Sequence, residues 1–219
     1  MSPPSPLAIY VHVPFCAKKC AYCDFNAYSG LDALRAPFVA SVIREIERSP
    51  EAGRRAASVF FGGGTPTRLE AHELSAILGA IARTFEVEND AEVTAEANPT
   101  TSEAAKFEAM RSAGFNRISI GVQALDDRLL PLLDREHSAA EAVRAVRSAR
   151  AAGFANVSID LMFRLPGQSM DDWRRTLQAA IDLGTEHLSL YALTIEPGTR
   201  FERLRAGGRL ALPSEDDEA

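Results

Sequence analysis

Short β-rich apolar runs alternate with amphipathic helical stretches along the whole chain. Leu7–Val13 is mostly apolar and is expected to form a strand buried on both faces, ended by Pro14. A helix is expected from about Pro37 to Arg48, where Phe38, Val39, Val42, Ile43 and Ile46 recur at helical spacing. Ala57–Phe61 reads as a second strand and Glu70–Phe85 as a second helix, with Leu74, Ile77, Leu78 and Ile81 facing inward. A third unit joins strand Ala91–Ala97 to a helix that Ser102 can cap, with Phe107 and Met110 on its buried side. Strand Asn116–Ile120 runs on into Gly121-Val-Gln123, and a short helical piece near Arg128–Leu133 precedes a helix capped by Ser138. Strand Asn156–Met162, helix Met170–Leu183, strand His187–Tyr191 and a short helix at about Arg200–Arg205 complete the pattern.

Strands that alternate with amphipathic helices imply a parallel sheet with right-handed crossovers. Six such units predict an α/β fold, a partial (β/α)6 barrel. Gly114-Phe115 and Gly153-Phe154 read as helix stops, with glycine at the end and an apolar residue beyond it. No G-x-G-x-x-G follows the first strand, which argues against a dinucleotide-binding dehydrogenase. Trp173 is expected in the core, and no role is assigned to His72 or His187.

Composition changes this picture little. The 219 residues are 46% apolar and 25% charged, enough for one large domain with a substantial core. A net charge of −6 without a basic block argues against a nucleic-acid partner. No apolar run reaches membrane-spanning length, so membrane association is expected only through a partner. Residues 1–6 carry no basic or apolar targeting pattern and read as a flexible lead, residues 7–213 as the barrel, and 214–219 as an acidic, frayed tail. A reducing cytoplasm is the expected location.

The chemistry is concentrated in Cys16-Ala-Lys-Lys-Cys20-Ala-Tyr-Cys23, which holds every cysteine of the chain. Three tightly spaced thiols favour metal or redox chemistry over a disulfide. Zinc with His12 as a fourth ligand, or an iron–sulfur cluster, would each suit them. Gly62-Gly-Gly-Thr-Pro-Thr67 follows the second strand; three consecutive glycines are costly in entropy, cannot be explained by packing, and usually let another group approach the backbone. Glu96 and Asn98, Gln123, Asp160 and Thr194 lie at or near the ends of the next four strands. In a parallel barrel all of these share one mouth, where such folds place their sites. Taken singly, each has a plainer reading: Tyr10 as core, Asp160 as a helix cap near Pro166, Arg135 in a surface ion pair with Asp134 or Glu136.

Together, YVHVPFCAKKCAYCDFNAY, VFFGGGTPT, TAEANP, RISIGVQALDD, SIDLMFRLPGQS and HLSLYALTIEPGT resemble the radical S-adenosylmethionine superfamily. More narrowly, they resemble the branch holding HemW-type heme chaperones and oxygen-independent coproporphyrinogen III oxidases. The resemblance implies a 4Fe–4S cluster on Cys16, Cys20 and Cys23, with one iron left open for the amino and carboxylate groups of S-adenosylmethionine. An electron from the cluster would cleave the sulfonium to methionine and a 5′-deoxyadenosyl radical. By matching position, Tyr10, Gly63, Gly64, Thr65 and Glu96 would contact this S-adenosylmethionine. Gln123, Arg135 and Asp160 match positions that bind a second S-adenosylmethionine in the oxidase. Implied partners are heme or porphyrin, an electron donor and apo-hemoproteins.

The chain departs from the family pattern in three places. Phe25 stands where the oxidase has a fourth cysteine, as in the chaperone branch, which tilts the expected function towards heme delivery. Arg164 stands where the family usually has glycine, so it is expected either to crowd the mouth or to point outward. The family's C-terminal region does not follow Ala219, and a truncated form with exposed apolar surface is expected.

Overall fold

The computed structural model describes residues 5–101 and 103–213. Ser102, most of the expected lead and all of the expected acidic tail lie outside the described residues. Six strands form one sheet in chain order: β1 Leu7–Val13, β2 Arg55–Gly63, β3 Glu86–Ala97, β4 Arg117–Gln123, β5 Asn156–Phe163 and β6 His187–Ala192. Every neighbouring pair is parallel, and β1 and β6 are the free edges, so the sheet is a barrel left open on one side. Helices α1 Arg35–Glu47, α2 Ala71–Thr84, α3 Ala104–Ala113, α4 Ala139–Ala151, α5 Met170–Asp182 and α6 Arg200–Ala206 follow the strands in turn.

Strand alternation sorts the two sheet faces by chemistry. Val59, Phe61, Val93, Ala95, Ile118, Ile120, Val157 and Ile159 are buried on the helix-covered face, where they meet Leu74, Ile77, Phe107, Met110 and Val146. Each large aliphatic or aromatic side chain buried there contributes about 1.5–3 kcal/mol. Residues of the opposite parity form a concave face that is largely polar: Thr94, Glu96, Ser119, Ser158, Asp160 and Ser189. β1 is accordingly not buried on both faces as its composition suggests. As an edge strand of the open barrel it leaves Tyr10 57% exposed on the concave side, stacked on Phe60 of β2.

Local signals explain the helix ends. Ser138 accepts from the Glu141 amide while the Glu141 carboxylate accepts from the Ser138 amide, a reciprocal cap that Ser169 and Asp172 repeat on α5. Gly114 at φ 112° and Gly153 at φ 88° end α3 and α4 in the left-handed region, and each is followed by a buried phenylalanine. β3 starts five residues earlier than its apolar run, because Glu86 and Val87 pair with Arg55 and Ala56 before a register shift. Trp173 is half-buried at the edge of the main core, against Phe163.

A second, smaller core supports the carboxyl ends of the strands. Ala21, Leu129, Leu130, Leu133, Met162, Leu165, Leu193 and Phe201 pack together there, joining the cysteine loop to the segments before α4 and α6.

Candidate functional site

The cysteine loop leaves β1 at Pro14 and closes on itself. Phe15–Cys16 pairs with Tyr28–Ser29, and Tyr28 N donates to Pro14 O at 2.8 Å. Ala21, the buried pivot of the loop, donates to Leu133 O at 3.4 Å and accepts from Phe201 N at 3.0 Å. On the surface, Asp134 accepts from Lys18 at 3.0 Å and from Arg200 at 2.6 Å, tying the same three segments together.

His12 fixes the loop from below. Its Nε2 donates to Asn26 O at 2.8 Å, and its Nδ1 shares a hydrogen bond with the Tyr10 hydroxyl at 3.2 Å. Both ring nitrogens are therefore engaged, and the zinc reading loses its fourth ligand. Among the described residues, no three histidine, cysteine or acidic side chains close on a single metal ion.

The glycine triplet is explained by packing after all. A Cβ on Gly62 would lie 2.8 Å from the Phe60 ring, and one on Gly63 2.7 Å from the His12 ring. On Gly64 it would lie 2.8 Å from Phe15 O and 3.1 Å from Cys16 Sγ. The groups that approach this backbone include the chain's own cysteine loop, which no reading of the triplet alone reveals.

A cleft of about 570 Å³ opens at the carboxyl ends of the strands. Cys16, Cys20, Cys23, Gly63, Gly64, Thr65, Glu96, Gln123, Arg135 and Asp160 all line it, together with Asn98 and Thr194. Of the residues singled out from sequence, Tyr10 and His12 lie outside this lining, beneath the glycine turn. Tyr22, Ser189 and Tyr191 also line the cleft and were missed by motif reading. Strand parity was the available signal, since Ser189 and Tyr191 stand two apart on β6 and Asp160 pairs with Ser189.

The cleft carries opposed charges. Burial and the neighbouring Asp160 push the Glu96 carboxyl up to about 7, although Gly63 N donates to its Oε2 at 3.1 Å. Asp160 is likewise raised by burial and accepts from Ser119 Oγ at 3.1 Å, so it is not a helix cap near Pro166. Gln123 holds φ 67°, a conformation that costs a non-glycine residue about 1–2 kcal/mol, and accepts the Tyr191 hydroxyl at 2.8 Å. Arg135 forms no surface ion pair with Asp134 or Glu136; it donates to Gly121 O at 2.6 Å and to Cys20 Sγ at 3.5 Å. Arg164 is half-buried and absent from the lining, so it does not crowd the mouth. Its φ of 61° shows why glycine suits that position.

The donor set fits an iron–sulfur cluster. The three thiols are free and half-buried on one wall of the cleft, and Cys16 Sγ lies 3.7 Å from Thr65 Oγ1. Burial raises the Cys16 and Cys23 thiols, so binding iron there displaces protons.

Comparison with known proteins accords with this geometry. The chain is 43% identical over 216 residues to the mitochondrial radical S-adenosyl methionine domain-containing protein 1 of Bos taurus, covering 96% of this chain and 48% of that protein. It is 38% identical over 215 residues to the heme chaperone HemW of Escherichia coli, covering 97% and 56%. The chain thus spans about half the length of the curated relatives it matches. The structure of the coproporphyrinogen III oxidase HemN from Escherichia coli, a radical SAM enzyme, superposes with a TM-score of 0.86 at 30% identity, over 97% of this chain and 49% of that one. The model of the Radical SAM superfamily matches residues 10–180, which span the cysteine loop, the glycine turn and five of the six strands, and the chain belongs to that superfamily.

Proposed function

We propose that Cys16, Cys20 and Cys23 hold a 4Fe–4S cluster beside a site for S-adenosylmethionine, in a HemW-like chaperone that delivers heme to apo-hemoproteins. The observation that carries this reading is one cleft lined by three free thiols, two half-buried carboxylates and a guanidinium. S-adenosylmethionine carries a sulfonium, an ammonium and a carboxylate, which match Glu96, Asp160 and Arg135 in charge. When bound, such a cluster supplies the electron for reductive cleavage of the sulfonium.

The chain's own groups have separable tasks. Glu96 holds the Gly63 amide and offers a desolvated carboxylate to a cation. Gly63, Gly64 and Thr65 present backbone to the ligand beside Cys16. Gln123 and Tyr191 form a hydrogen-bonded pair on the far wall, which suits a second polar ligand. Tyr10 acts through His12, which orders the loop, rather than from the cleft wall.

Phe25 favours the chaperone, since it stands 60% exposed at the cleft in place of the oxidase's fourth cysteine. The alternative is a coproporphyrinogen III dehydrogenase of porphyrin biosynthesis, which the likeness to the HemN structure favours. An electron donor and a cytoplasmic location belong to either reading. No helix among the described residues is long and apolar enough to cross a membrane.

Incubating the reconstituted chain with reductant, S-adenosylmethionine and either coproporphyrinogen III or heme separates the two. Heme transfer to an apo-hemoprotein without turnover supports the chaperone; conversion to protoporphyrinogen overturns it.

A further inference from the structure

Arg135 is a cation without a carboxylate. Among the described residues it forms no ion pair, because neighbouring Asp134 is taken by Lys18 and Arg200. Its Nη2 donates to Gly121 O and its Nη1 to Cys20 Sγ, while Nε is buried with no hydrogen-bond partner. A buried charge is costly unless an opposite charge compensates it. The groups that face it include Cys16, Cys20, Tyr22, His137 and Tyr191, and the sulfur it touches is that of Cys20. The backbone also commits the side chain to this place. Asp134 turns the chain at φ 58°, Arg135 N donates to Leu130 O, and a Cβ on Gly121 would stand 3.5 Å from Arg135 Nη2.

We propose that Arg135 is a positioning residue for the cluster, acting through Cys20 as counter-charge and N–H donor to its sulfur, and so raising the cluster's reduction potential. This role is distinct from contact with S-adenosylmethionine, and it rests on the cluster assignment above. An N–H to a cluster sulfur and a nearby positive charge both stabilise the more negative, reduced state.

The test is a redox titration, followed by electron paramagnetic resonance, of the anaerobically reconstituted chain without S-adenosylmethionine. Arg135→Gln removes the charge; Arg135→Lys keeps it but cannot serve both Gly121 O and Cys20 Sγ. At iron content equal to that of the unsubstituted chain, the potential is expected to move negative in Arg135→Gln and by a smaller step in Arg135→Lys. If Arg135→Gln does not fold, the negative step in Arg135→Lys carries the test. An unchanged potential in every variant that folds, with only S-adenosylmethionine affinity weakened, overturns the proposal and leaves Arg135 a ligand contact. Absence of iron uptake by the unsubstituted chain overturns the cluster assignment, and this proposal with it.

Discussion

Gly63 N donates to Glu96 Oε2 at 3.1 Å, so the glycine turn after β2 is held by a carboxylate at the end of β3. The same carboxylate is desolvated and faces Asp160, which places it near 7 instead of its usual 4.5. The folded state therefore binds the Glu96 proton more tightly than the unfolded state does. Its contribution to stability is fully present below pH 4.5 and is lost as pH rises through about 7.

Glu96→Gln keeps an oxygen acceptor for Gly63 and removes the charge. It is expected to be more stable than the unsubstituted chain at pH 8, on the order of 2 kcal/mol, with the gain vanishing below pH 4.5. Urea unfolding at the two pH values measures this. Equal stabilities at pH 8 would mean that the carboxylate carries no desolvation strain.

Ligand affinity should move the other way. A sulfonium favours the ionised form of Glu96, so S-adenosylmethionine binding should weaken as pH falls below 7, by up to about tenfold per unit. Isothermal titration of the reconstituted chain between pH 6 and 8 reads the slope, and Glu96→Gln should flatten it. An identical slope in both would exclude Glu96 from the site.

Gly64→Ala separates packing from flexibility. Its Cβ would press on the Phe15 carbonyl and on Cys16 Sγ, so the cysteine loop must shift, at a cost of about 1–3 kcal/mol and with reduced iron uptake. Gly79→Ala on α2 meets only the flexible tip of Arg83 at 3.4 Å and should stabilise by up to about 1 kcal/mol. Thermal melts and iron assays of the pair check the contrast.

The Asp134 clasp should be modest and salt-sensitive. Lys18 and Arg200 are half-exposed, so Asp134→Asn should cost about 1 kcal/mol or less at low ionic strength and nearly nothing in ~1 M salt. Asparagine tolerates the left-handed backbone at this position, which confines the change to charge.

Much of this molecule was legible in its pattern. Periodicity located all six strands and the helices of the sheet, and the convergence of Cys16, Glu96, Gln123 and Asp160 on one mouth followed from parallel topology alone. Burial of β1 was misjudged because its composition cannot show that it is an edge strand. The glycine triplet was misread because the groups that crowd it, His12 and Phe15, come from residues about 50 positions earlier. Taken singly, Arg135 also admitted a surface ion pair beside two acids, since nothing local shows that Asp134 is spoken for by Lys18 and Arg200. Tyr191 carried no motif, and only its parity with Ser189 on β6 pointed to the cleft.

The most direct test of the cluster assignment is metal content after anaerobic reconstitution, read with the electron paramagnetic resonance spectrum of the reduced chain before and after S-adenosylmethionine is added. About four irons per chain are expected, abolished by Ala at Cys16, Cys20 or Cys23, with a spectrum that changes on addition of the ligand. Stoichiometric zinc, or a cluster spectrum indifferent to S-adenosylmethionine, would contradict it.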